Sequence, residues 1–234
     1  MIDTSRHVPI FDAIQFAREG GGVEIVGCGA TGSRVALELV KLGVRRLRLW
    51  DDDRVEEHNI ANQAFEAQDA GQYKVNALAR LIARQAEDVE VSARVERVRE
   101  SGSQILQWPV LFLLTDSMSS RKQIGEGLKR NMKVQQLVET RLGTNIGYVY
   151  GLDARIPSHH KQWMDTLSED AVVETSACGA RITIGASAAM LSGMAVWFFM
   201  NWAARRQGKE IKTETVNELV FCMQPWMMQT RRWV

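Results

Sequence analysis

Cysteine is scarce in this chain: 234 residues hold three, Cys28, Cys178 and Cys222, no two of them closer than 44 positions. An odd number spaced so widely excludes a disulfide framework and a four-cysteine structural zinc site, and it points to a reducing, cytoplasmic setting. Excess charge is lacking as well. Lys plus Arg (29) and Asp plus Glu (28) leave a net charge of +1. No overall field draws the chain to nucleic acid or acidic lipid, so neither nucleic acid nor membrane is expected as a partner. The opening MIDTSRHVPIFDA carries Asp3, Arg6 and His7 and lacks the apolar stretch of a secretory signal. Repeats, low-complexity tracts and linkers are missing too. Residues 1–234 therefore read as one domain, of a size that buries a full core.

What is present is 45% hydrophobic and 24% charged, a globular composition, and it is patterned. Over the first 150 residues short apolar runs alternate with helical periods, the signature of an α/β protein whose mostly parallel sheet is flanked by helices. Strands are predicted at Val23–Gly27, Arg46–Trp50, Val89–Val95, Val110–Thr115 and Val134–Val138, with helices at Gly32–Leu42, Gly71–Gln85 and Ser119–Arg130. Beyond residue 140 the alternation lapses into a strand at Ile146–Leu152, a polar crossover at Pro157–Asp170, a long apolar helix, a strand at Val216–Met223 and a tail rich in Met and Trp. The apolar helix includes 23 residues without formal charge, Ile182 to Ala204, long enough to cross a bilayer. Its serines, glycines and asparagine suit a helix buried against a sheet or a subunit partner better than one in lipid.

Gly27, Gly29 and Gly32 form G-x-G-x-x-G between the first strand and the first helix, the setting in which glycines allow close backbone approach and a helix N-terminus offers N–H groups to phosphate. Asp51 ends the second strand, 19 residues beyond Gly32, where a carboxylate can accept ribose hydroxyls. The loop alone does not distinguish ATP from NAD.

The residues that follow carry more information. In LWDDDRVEEHNIANQAFEAQDAGQYK, Asp51, Asp53 and Val55 stand as D-x-D-x-V, Asn59 and Gln63 as the ends of N-x-x-x-Q, and Gly71 and Lys74 as G-x-x-K. Further on, Asp116 precedes a polar turn and Arg121. This ordered set resembles the ThiF, MoeB and ubiquitin-activating-enzyme superfamily over residues 23–140. The resemblance implies a Rossmann-like sheet with a C-terminal antiparallel extension, a homodimer, and ATP-dependent adenylation of a carboxylate, usually the C-terminus of a ubiquitin-like or sulfur-carrier protein. It further implies Lys74 on the phosphates, Asp116 on Mg²⁺, Asn59 and Gln63 on phosphates and ribose, and Asp51 on the ribose. Each has a plainer role available: Lys74 as a solvated helix lysine, Asp116 as a helix N-cap, Asn59 as a turn residue.

The pattern is broken in two places. Family members have N-x-x-R-Q, whereas position 62 is Asn62, which cannot place a fixed charge on the γ-phosphate. Arg6, 21 residues before Gly27, is the candidate replacement, delivered across a dimer as N-terminal arginines are in many relatives. The paired cysteines that hold structural zinc in relatives are absent, and the adjacent His159 and His160 read as a solvated polar loop. Cys178, just before the apolar helix, is placed where relatives carry a thioester- or acyl-disulfide-forming cysteine, or it is a small buried residue. Cys28 and Cys222 read as packing residues. Three functions compete: the adenylyltransferase, a degenerate nucleotide-binding scaffold suggested by Asn62, and a NAD-dependent oxidoreductase, which leaves Asn59, Gln63 and Lys74 unexplained. Met190–Trp202 with Trp226, Met227, Met228 and Trp233 is more apolar surface than one small sheet is expected to cover, a physical reason for a twofold interface.

Overall fold

Pattern and structure agree on the parallel half of the sheet. A computed structural model describes residues 2–99, 105–167, 184–211 and 214–233; Cys178 lies outside them. The chain runs through α1 (Ala13–Arg18), β1 (Val23–Val26), α2 (Ala30–Leu42), β2 (Arg46–Trp50), α3 (Lys74–Gln85), β3 (Glu90–Arg94), β4 (Val110–Leu113), α4 (Met118–Leu128) and β5 (Gln136–Leu142). It continues through β6 (Ile146–Asp153), α5 (Pro157–Asp165), α6 (Gly185–Arg206), β7 (Glu218–Met223) and β8 (Trp226–Arg231). The eight strands form one sheet in the order β3-β2-β1-β4-β5-β6-β7-β8. Pairing is parallel from β3 to β5 and antiparallel from β5 to β8. The direction of winding reverses between β1 and β4, the switch point where open α/β sheets bind ligands at the carboxyl ends of their strands.

Two apolar layers sandwich the sheet, because successive strand side chains point to opposite faces. Val23 and Ile25 of β1, with Val110 and Phe112 of β4, face the layer holding α2, α3 and α6. Val26, Leu111 and Leu113 face the other, with Ile124 and Leu128 of α4 and Trp163 of α5. Helix α6 crosses α2, where the Ser192 hydroxyl donates to the Thr31 carbonyl (3.2 Å). It buries Ala188, Leu191, Ala195 and Phe199 at helical spacing. Phe199 meets Phe11, Phe16 and Phe112 edge-on or tilted, pinning the N-terminal segment to the core. Among the described residues no helix is long and apolar enough to cross a membrane.

Four expectations need correction. Pro157–Asp165 is a helix rather than an irregular crossover. Proline at its first turn is compatible with a helix start, and only His160 and Trp163, three apart, are buried, which is too narrow a stripe to show in the sequence. His160 is therefore no solvated loop residue: its ring Nε2–H donates to the Gly125 carbonyl (2.9 Å). The tail forms β8, and Trp233 folds back against Tyr150 and is buried, so it adds nothing to exposed apolar surface. Finally, β5 extends to Leu142 through a buried glutamate, Glu139, whose charge hides the strand's period.

Candidate functional site

The three loop glycines have separate reasons. Gly27 has φ +97°, and a Cβ there would stand 2.6 Å from the Leu114 carbonyl oxygen. A Cβ on Gly32 would come within 1.9 Å of the Gly27 oxygen, so the first turn of α2 can close on the loop only without a side chain. A Cβ on Gly29 would meet nothing within 4 Å; it faces a cavity of about 870 Å³ at the carboxyl ends of β1 and β4.

Segments far apart in sequence converge on that cavity. Gly27, Gly29, Asp51, Asp53, Asn59, Gln63, Lys74 and Asp116 all line it, as do Asn62, Asp52, Glu96, Arg97, Thr115, Arg121 and Thr140. Asp51 is tied to the glycine loop: its Oδ2 accepts the Cys28 N–H at 2.7 Å and its Oδ1 the Asp53 N–H at 2.9 Å. Burial pushes its carboxyl above the usual range, partly offset by the Lys74 ammonium and those N–H groups. The Cys28 thiol is pushed far up by burial and is no nucleophile.

Lys74 is the first residue of α3, where a cation opposes the helix dipole. Hydrogen bonds from Lys74 N–H to the Asp53 carbonyl (2.9 Å) and from Gly71 N–H to the Val55 carbonyl (2.8 Å) hold it there, and Arg54 lies over the Tyr73 ring at 3.9 Å. Its ammonium is 2.8 Å from Asp53 Oδ2. Burial alone would lower its pKa, but the Asp53 hydrogen bond and the charges of Asp51 and Asp53 outweigh it and raise it. The solvated-lysine role is thereby excluded, since Lys74 is only 8% exposed.

Asn59 does the plain job its type suggests while lining the cavity. Its Oδ1 accepts the Glu56 N–H (3.0 Å) in a capped turn. The Ser33 hydroxyl accepts the Ala64 N–H (3.1 Å) and donates to the Gly29 carbonyl (2.7 Å), seating residues 59–64 on the glycine loop. Asp116 is exposed in the β4–α4 loop, and the N-cap of α4 is Ser117, so the capping alternative for Asp116 falls. Beneath that loop Glu139, fully buried, pairs with Arg121 (2.8 Å) and Arg141 (2.9 Å) and accepts from the Trp163 indole (3.2 Å). Arg121 donates in turn to the carbonyls of Thr115 and Thr140. This network sets the backbone beside Asp116, and little in the sequence announces it beyond the spacing of Asp116 and Arg121.

Arg6 does not join the cavity. Thr4 would meet a Cβ on Gly43, just past the C-terminal end of α2, and α2 separates that end from the glycine loop by about 20 Å. Among the described residues six carboxylates line the cavity (Asp51, Asp52, Asp53, Glu56, Glu96, Asp116) against three permanent cations (Lys74, Arg97, Arg121). The carboxylate oxygens of Asp51, Asp52 and Asp53 come within 4.8 Å of one another.

The ThiF family model matches residues 15–231. Among solved structures the fold is similar to PaaA, with TM-score 0.70 and 19% identity over 92% of this chain and 64% of that one. It is also similar to E. coli MccB with ATP, TM-score 0.69 and 12% identity over 96% of this chain and 66% of that one. The microcin C7 biosynthetic enzyme MccB in complex with N-formylated MccA gives TM-score 0.73 and 12% identity over 96% and 67%. Uncharacterized protein MJ0693 of Methanocaldococcus jannaschii is 33% identical over 70 residues, 29% of either chain. The chain thus spans about two thirds of the solved proteins' length.

Proposed function

The chain belongs to the ThiF family, and we propose that it catalyses ATP-dependent adenylation of a carboxylate, the C-terminus of a ubiquitin-like protein, sulfur-carrier protein or peptide. A carboxylate oxygen would attack the α-phosphorus as the bond to the β-phosphate oxygen breaks, giving acyl-adenylate and pyrophosphate. One observation carries the reading: a buried lysine, ion-paired with Asp53, lines a glycine-loop cavity at the N-terminus of α3, beside the family's aspartates and amides. Similarity to an enzyme solved with ATP and with N-formylated MccA supports the same two kinds of ligand.

The residues present suit a nucleoside triphosphate and a divalent cation. Gly29 leaves open space where a phosphate would lie against the N-terminus of α2, and two buried oxygens, Gln63 Oε1 and Thr115 Oγ1, have no hydrogen-bond partner among the described residues. The excess of carboxylates would repel a bare polyanion. Mg²⁺ would neutralise that charge and polarise the phosphoryl oxygens, held by Asp116 with the neighbouring carboxylates in reach. Lys74 would bind phosphoryl oxygens as charge builds in the transition state. Asn59 and Gln63 would orient phosphates and ribose, and Asp51, anchored by two backbone N–H groups, would fix the loop and the ribose edge.

Assembly belongs to the same reading. Trp226, 77% exposed, with Met227, Met228 and Trp197, gives apolar surface that a second copy would cover. Since Arg6 does not line its own cavity, a homodimer is the arrangement in which it could serve the other subunit's site. Cys178 is proposed as acceptor thiol for the activated acyl group. Asn62 favours one alternative, a nucleotide-binding scaffold without catalysis. ATP–pyrophosphate exchange separates the two: exchange above background supports the enzyme, and ATP binding without exchange defeats it. A larger thermal shift with NAD than with ATP–Mg²⁺ would defeat both.

A further inference from the structure

We propose that Arg34 supplies, from within the same chain and in addition to Arg6 acting across a dimer, a cation for the terminal phosphates that position 62 does not carry; the inference rests on the adenylation reading. Arg34 lies four and three residues beyond Ala30 and Thr31 on α2, and both of those line the cavity. Residues at that spacing share a helix face, and long helical side chains lean toward the N-terminus. The guanidinium is therefore carried back along α2 toward the cavity. It does not line the cavity wall itself but lies beside residue 62, which does. A point next to Gly185, where a Cβ would stand, is 3.4 Å from Arg34 Nη2, 3.5 Å from the Asn62 Cα and 3.0 Å from the Ala61 carbonyl oxygen. Glycine at the start of α6 leaves the space in which the guanidinium and the 61–62 backbone come together.

Its bonding state distinguishes Arg34 from the other cations. Among the described residues each permanent cation lining the cavity is held by a carboxylate: Lys74 by Asp53, Arg97 by Asp52 and Arg121 by Glu139. Arg34 has no ion pair or hydrogen bond among the described residues, and its Nε is buried without an acceptor. A guanidinium brought part-way out of water with no acceptor is costly, and the cost is recovered when an anion arrives. Planar, permanently charged and able to bind two oxygens at once, it suits a phosphate. AMP lacks the phosphates in question, so Arg34 should discriminate ATP from AMP.

Calorimetric titration of the full-length protein with ATP–Mg²⁺ and with AMP tests this. Arg34→Gln keeps length and hydrogen-bonding capacity and removes the charge; it should weaken ATP binding tenfold or more and leave AMP within twofold. Arg34→Lys should retain most of the ATP preference, and adding Asn62→Arg to Arg34→Gln should restore it. Unchanged ATP affinity in Arg34→Gln, or equal losses for ATP and AMP, would overturn the inference. Should Arg34→Gln fail to fold, Arg34→Lys decides: loss of the ATP preference in a folded protein that retains the charge is the overturning result. A wild-type protein with the selective loss on mutation but no pyrophosphate exchange would sink the adenylation reading and leave Arg34 as a phosphate ligand.

Discussion

Replacing Lys74 by methionine separates the charge of that residue from its bulk. Methionine keeps an unbranched stem of similar length in a pocket where Lys74 is 8% exposed, so little packing is lost. The partner is not stranded either. The Asp53 side chain is 58% exposed and returns to water, so breaking the pair should cost about 0–1 kcal/mol, in the range of exposed ion pairs. Asp51 loses an attractive neighbour, and its carboxyl, already raised by burial, rises further while still holding its two backbone N–H groups. Loss of a preorganised stabiliser of transition-state charge typically costs roughly 10²–10³-fold in rate, about 2.7–4 kcal/mol. Lys74→Met should therefore fall by at least roughly 100-fold in pyrophosphate exchange while its unfolding free energy stays within about 1 kcal/mol of wild type.

The comparison has a defined pH window. Because the folded pKa of Lys74 is raised above its ordinary value of 10.5, the pair's stabilisation is fully present below that value and is lost as pH rises through the folded one. Between pH 7 and about 9 the stability difference between wild type and Lys74→Met should be flat. Exchange and chemical denaturation on the same preparations are the measurements. Exchange within tenfold of wild type would remove Lys74 from the mechanism, and a stability loss above about 3 kcal/mol would make it a structural residue instead.

Asp116→Asn should lower exchange by about 100-fold while the protein stays folded, because the residue is exposed and the N-cap of α4 is Ser117; wild-type exchange would dismiss it as a metal ligand. Cys178→Ala should keep exchange and abolish any thiol-reducible conjugate, and a conjugate surviving the mutation would refute the acceptor role. Burial lowers the pKa of His160, so the folded state takes up its proton later than the unfolded chain and stability falls as pH drops below about 6.5. His160→Gln should make that fall shallower by at most about 1.4 kcal/mol per pH unit, and an unaltered slope in denaturation curves from pH 7.5 to 5 would contradict it. Arg6→Ala and Lys74→Ala should each be inactive and dimeric, and mixing them with subunit exchange should restore one working site per heterodimer. A monomer at micromolar concentration, or mixed dimers that stay inactive, would refute action across the interface.

The parallel half of the sheet was legible because its strands are short apolar runs punctuated by helical periods. Arg46–Trp50 matches residue for residue, and Val23–Val26 and Val110–Leu113 fall within their predicted ranges. Legibility failed where a charge or a polar residue finds its partner far along the chain. Glu139 interrupts the pattern of β5 because nothing local reveals Arg121 and Trp163 around it. Helix α5 hid because its buried pair is His160 and Trp163 rather than an apolar stripe. At the site, the ordered motifs named residues that the fold brings around one cavity. Arg34 carried no such signal: it is an ordinary position on an amphipathic helix until Gly185 and Asn62, from two other segments, are seen beside it.

The acidic composition of the cavity and the burial of its lysine belong together. A lysine left alone in that position would lower its charge to escape desolvation, and it would then be useless to a phosphate. Asp53 and Asp51 prevent that by keeping the ammonium charged, yet the pair is lopsided: Lys74 is buried and the Asp53 carboxylate is mostly in water. On the proposed reading an incoming phosphoryl group would displace Asp53 at little cost, since the displaced carboxylate is already half solvated, while Lys74 need not move. A symmetric, fully buried pair such as Arg121–Glu139 could not exchange partners so readily, because the abandoned charge would remain in the core. The two pairs therefore suit different tasks in one cavity, the exposed-ended one to receive an anion and the buried one to hold still the backbone from which Asp116 projects.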